Sequence, residues 1–89
     1  MITVNKQDAS TFRVTVEEGG NSKNYTVTAD DTTWRDLTGG SVDKEQLVTA
    51  SFEFLLEREP KESILSSFDL TLINRYFPEY TKTIKKRFQ

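Results

Sequence analysis

Residues 43–59, DKEQLVTASFEFLLERE, carry apolar side chains around more of a helical circumference than any other part of the chain. Set at 100° per residue, Ala50, Phe54, Leu47, Leu55, Val48, Phe52 and Leu56 sweep an arc of roughly 240°, leaving Thr49, Glu53, Gln46 and Glu57 on the remainder. A helix resting on one sheet needs only about half that width. This one must be covered from two directions. Its start is marked three times over. With Asp43 as N-cap, Gln46 stands at N3 to close a capping box, while Val42 and Leu47 flank the boundary as a hydrophobic staple. Pro60 ends or kinks the helix at Glu59.

The residues before it supply a cover on one side. Ile2 and Val4 alternate with Thr3 and Asn5; Phe12, Val14 and Val16 alternate with Arg13, Thr15 and Glu17; Tyr25, Val27 and Ala29 alternate with Thr26 and Thr28. Period-two alternation of this kind marks strands with one wet face. Gly19, Gly20 and Asn21 tolerate the positive φ of a chain reversal, so a hairpin joins the second and third runs. The first 29 residues read as an antiparallel meander of two or three strands, according to whether residues 2–5 join it. Asp30 to Thr33 then offer N-cap oxygens before Trp34 and Leu37, and Gly39-Gly40 offers a stop, which predicts a helix of about two turns.

The residues after it supply the other cover. Ile64 and Leu65 belong to one further turn past Pro60. Asp69 is an N-cap candidate with Phe68 and Ile73 as staple, and Leu70, Leu72, Ile73, Tyr76 and Phe77 share a face, predicting a helix over residues 69–77. Pro78 breaks that helix and suits the first turn of a last one, in which Tyr80, Ile84 and Phe88 recur at four-residue spacing. The predicted fold is α+β, one domain over residues 1–89: a meander (1–29) on a central helix, and a helical part (30–89) closed by short C-terminal helices. The predicted core is Phe12, Val14, Val16, Tyr25, Val27, Trp34, Leu47, Phe52, Leu55, Ile73, Phe77 and Ile84.

The run SFEFLLEREPKESILSSFDLTLINRYFPEY, residues 51–80, resembles a family of small uncharacterised prokaryotic proteins with SFEFLLEREP, then ESIL, a short F-D-L helix and RYFPEY. The likeness covers about the last half of the chain and is most specific over residues 54–60 and 75–80. It implies a natural, compact domain of a family without known function or established catalytic residues.

The chain has no histidine and no cysteine, so Ser-His, Cys-His and His-metal arrangements are excluded, and neither disulfides nor thiolate ligands reinforce the core. The two glycine pairs lack the spacing of a phosphate loop. Asp30 and Asp31 fit helix capping better than cation binding, which needs more oxygen donors at regular spacing. Glu57 with Glu59 or Glu62 near Pro60 is a carboxylate pair on a solvated helix end. The expectation is a non-enzyme without metal or cofactor. Apolar runs are too short for a bilayer and the N-terminus lacks a signal-peptide core, which predicts a soluble, cytoplasmic protein without membrane association.

Two surfaces remain as binding candidates. Arg75, Tyr76 and Tyr80, with Lys82, Lys85, Lys86 and Arg87, form an aromatic-basic stretch suited to a protein partner or to a polyanion such as nucleic acid, the lysines on phosphates and a tyrosine stacking on a base. The alternative is that Phe77 and at least one tyrosine plug the core while the cations answer the helix dipole. Twelve basic against 14 acidic residues, a net charge of −2, disfavour phosphate neutralisation as the main task. The second surface is the unpaired edge of a small sheet, which accepts a strand from another protein or a second copy. The leading expectation is a non-enzymatic protein-interaction module; the alternative is a nucleic-acid or polyanion binder.

Overall fold

Residues 1–89 are all described by the computed structural model. The alternating runs form strands β1 (Ile2–Lys6), β2 (Thr11–Glu18) and β3 (Asn21–Thr28), paired antiparallel in sequence order. The β2–β3 turn places Gly19 and Gly20 at φ 57° and 81°, the left-handed region where a Cβ is penalised. Residues 2–5 do join the sheet. The register stacks the inward side chains in rows, Val4–Val14–Tyr25 and Phe12–Val27, and β2 and β3 bury Phe12, Val14, Val16, Tyr25 and Val27.

The sheet is larger than a meander of two or three strands. A fourth strand, β4 (Ser67–Asp69), runs parallel to β3 with Val27 opposite Phe68, so the order is β1-β2-β3-β4. Parallel neighbours need a long crossover, and here it carries two helices, α1 (Asp31–Thr38) and α2 (Lys44–Leu56). Asp30 caps α1 by accepting from the Thr33 N–H, and Gly39 closes it at φ 66°. The Asp43–Gln46 capping box of α2 is present. Its side-chain arm from Asp43 to the Gln46 N–H is 2.8 Å.

The chain beyond α2 departs from the predicted boundaries. The helix stops at Leu56, before Pro60, which instead opens a 3₁₀ turn at Lys61–Ser63. The helix predicted over residues 69–77 is broken up. Its first residue, Asp69, ends β4 and caps a second 3₁₀ turn (Leu70–Leu72), and only α3 (Ile73–Tyr76) is α-helical. Pairing with β3 explains the change: Phe68 in an extended backbone stacks on Phe52 at 6.0 Å, and the Thr28 hydroxyl fixes the Asp69 carboxylate at 2.6 Å. Pro78 lies just ahead of the last helix, α4 (Tyr80–Phe88), not within it.

The wide apolar arc of α2 is covered as its width requires. Phe52 and Phe54 are two residues apart and therefore point to opposite sides of the helix. Phe52 meets the sheet side through Tyr25 (5.1 Å between ring centroids), whereas Phe54 meets Phe77 (6.0 Å) and Tyr80 (5.3 Å) of the C-terminal part. Both phenylalanines are buried. Of the predicted core, Trp34 and Phe77 are only half-buried and pack against its margin; Trp34 sends its indole N–H to the Val42 carbonyl at 2.6 Å. No helix is long and apolar enough to cross a membrane.

Candidate functional site

Where α2 ends, the chain builds a cleft of about 360 Å³, eight of whose ten lining residues are hydrophobic. The helix contributes Leu55 and the turn after it Glu59; the segment leading into β4 contributes Ser63, Ile64 and Leu65. Phe68 of β4 lines it next to the sheet, and Leu72, Ile73, Tyr76 and Phe77 line it from the residues that follow β4. Three large hydrophobic side chains of the protein stand well out in solvent: Met1, Leu65 (49 % exposed) and Tyr76 (65 % exposed). Two of the three share this cleft. Large apolar groups exposed together make the cleft a candidate interaction surface, unlike the same groups scattered singly.

The cleft is held firmly from beneath. The Tyr25 hydroxyl, in the sheet, donates to the Lys61 carbonyl at 2.6 Å, and Lys23 reaches the Ile64 carbonyl at 3.4 Å. These bonds dock the 3₁₀ turn and the strand that follows it. Burial pushes the Tyr25 phenol up to about 12, and the negative charges of Glu62, Glu18 and Glu59 add to the shift. Asp69 is partly buried, which alone would raise its pKa, but hydrogen bonds from Thr28 and Thr71 outweigh burial and leave it below the usual carboxylate range.

Several charges around the cleft are paired. Lys61 pairs with Glu62 at 2.9 Å. Arg58 bonds Glu79 at 3.2 Å, donates to the Phe54 carbonyl at 3.0 Å and lies 3.6 Å over the Phe54 ring. Glu59 lines the cleft half-buried and takes part in no ion pair or side-chain hydrogen bond. Nothing in the spelling of residues 57–62 separates Glu59 from its acidic neighbours; the fold does.

The aromatic-basic stretch predicted as one surface is divided. Tyr80 is fully buried, its hydroxyl 2.6 Å from Ser51 Oγ, so it belongs to the core and does not present a stacking face. Burial holds its phenol above the ordinary tyrosine range. Arg87 turns to Glu53 at 2.8 Å. Arg75 and Tyr76 are exposed on α3, with Tyr76 in the cleft wall. Lys82, Lys85 and Lys86 are exposed, lie outside every ion pair and occupy roughly 100° of the α4 circumference. No three carboxylates converge to hold a metal ion.

Comparison with protein-family models, with curated proteins and with solved structures gives no match. The reading of the cleft therefore rests on its own geometry.

Proposed function

We propose that the protein is a small non-enzymatic interaction module whose binding surface is the apolar cleft between the end of α2, β4 and α3. The observation that carries this reading is the convergence of exposed Leu65 and Tyr76 on one concave, mostly apolar surface. A domain of 89 residues has few large side chains to spare from its core, so leaving two of them in solvent at one spot is costly unless a partner covers them. The lining is anchored to the sheet by Tyr25 and Lys23, which keeps the surface preformed and lowers the ordering cost of binding. Leu65→Glu places a charge in the cleft without touching the core. The expected result is loss of binding to a panned peptide ligand with an unchanged unfolding midpoint. Equal binding by the variant removes the cleft from the proposal.

A polyanion reading keeps only Lys82, Lys85 and Lys86, and it is supported by their lying unpaired on one face of α4. Three phosphate contacts correspond to a slope of log K against log salt of about −2 to −3. Titration of short single-stranded oligonucleotides at two salt concentrations tests it; absence of chemical-shift changes at the three lysines rejects it.

A further inference from the structure

The cleft lies against the open edge of the sheet, and this juxtaposition specifies what can fill it. In the parallel ladder Ser66 gives its carbonyl to the Thr26 N–H at 2.8 Å. Alternate residues of such a strand face alternate sides, so Ser67 directs its N–H and C=O away from β3, off the edge. β4 is the terminal strand on that side. Its middle residue, Phe68, lines the cleft, and other cleft residues come from the chain on both sides of it.

From these observations we infer that the cleft receives an extended peptide that adds to β4 as a fifth strand, with an apolar side chain in the cleft and a lysine or arginine two residues away meeting Glu59. The inference rests on the interaction reading above and gives the partner its chemistry. Edge addition uses main-chain hydrogen bonds for affinity and alternate side-chain pockets for selectivity. Residues i and i+2 of a strand share a face and stand about 7 Å apart, so an apolar residue and a base can enter the same cleft together. Glu62 is already answered by Lys61 and Lys23 sits on the Ile64 carbonyl, so the charge left for a ligand is that of Glu59, the half-buried carboxylate of the cleft without a partner of its own. That carboxylate favours a cation beside it over an acidic side chain.

A second copy of the chain fits poorly. Val4 and Lys6 of edge strand β1 have the right spacing, yet Val4 already packs on its own core. Joining β1 of one copy to β4 of the next is also a head-to-tail contact, which gives rings or open filaments and not a two-fold dimer.

A displayed library of random decapeptides, panned on the full chain with the uncharged variant Leu65→Ser as counter-target, supplies the probe; enriched sequences are resynthesised and titrated. The expected sequences carry an apolar residue two positions from Lys or Arg. Glu59→Gln then lowers affinity about tenfold, as does norleucine in place of the peptide's base, and the two changes together cost no more than one. N-methylation of the peptide amide opposite Ser67 removes binding. Enriched peptides without a base, indifference to Glu59→Gln, or tolerance of N-methylation overturns the inference while leaving the cleft an interaction site. Failure to enrich any peptide over the counter-target overturns the interaction reading as well. Concentration-dependent self-association abolished by Leu65→Glu assigns the cleft to a second copy and overturns the peptide inference.

Discussion

Removing either member of the Ser51–Tyr80 pair should destabilise the protein, and removing both should cost less than removing Ser51 alone. Ser51 and Tyr80 are both 0 % exposed. The Ser51 hydroxyl lies 2.8 Å from the Leu47 carbonyl and 2.6 Å from the Tyr80 hydroxyl. A serine has one proton, and the Leu47 carbonyl can only accept, so Ser51 donates there and Tyr80 donates to Ser51. Ser51→Ala leaves a phenolic O–H in a dry core without an acceptor, at about 1–3 kcal/mol. About 0.5 kcal/mol of that is offset because alanine is the better helix former. Tyr80→Phe is milder, about 0.5–1.5 kcal/mol, since Ser51 keeps its donor on Leu47. In the double variant no orphaned donor remains, and the cost falls below that of Ser51→Ala. The interaction energy across the cycle is then about −1 to −3 kcal/mol. Urea unfolding followed by circular dichroism reads this directly, because with a slope of about 1 kcal/mol/M a change of that size moves the midpoint by 1 M or more. Additive single effects, within about 0.5 kcal/mol, would refute the assignment of Tyr80 as the donor to Ser51.

Asp43→Ala breaks both arms of the α2 capping box and should cost about 1 kcal/mol, read as a lower thermal midpoint; Asp43→Asn should restore most of it. Stability should fall at high pH. Tyr25 is raised from 10.0 to about 12 and Tyr80 is raised as well, so between those pH values the unfolded chain loses phenolic protons that the folded chain keeps. Each buried tyrosine then removes about 1.4 kcal/mol per pH unit above pH 10, and Tyr80→Phe should flatten the decline measured by urea unfolding from pH 9 to 11.5. Leu65→Ser should leave stability within about 0.5 kcal/mol of the parent. A larger loss would mean that Leu65 supports the fold and is not held out for a partner.

Much of the fold was legible because it is encoded in short-range chemistry. Asp30 and Asp43 announce helix starts through side-chain oxygens three residues from the N–H groups they accept, Gly19, Gly20 and Gly39 announce positive φ, and period-two alternation assigns the inward faces of β2 and β3. The width of the α2 arc announced cover on two sides, and Phe52 and Phe54 divide between sheet and helices as that width demands. The predicted binding stretch fared differently. Nothing local distinguishes Tyr76, which stands in solvent, from Tyr80, which is sealed against Ser51, because the apolar spacing of the sequence assigns both to the inward face of a helix. Burial there depends on how α3 and α4 meet α2.

The sequence by itself determined where helices begin, where the chain reverses and which face of each strand turns inward, since each depends on atoms only a few residues apart. Only the tertiary structure decided that Ser67–Asp69 is a strand. Three residues are too few to show a period, and their extended form exists because β3, some forty positions earlier, offers a ladder and Phe52 offers a surface for Phe68. The cleft follows from that pairing. Phe68, held to the sheet, lines it together with Leu65, Tyr76 and Glu59, and no stretch of the chain read alone contains it.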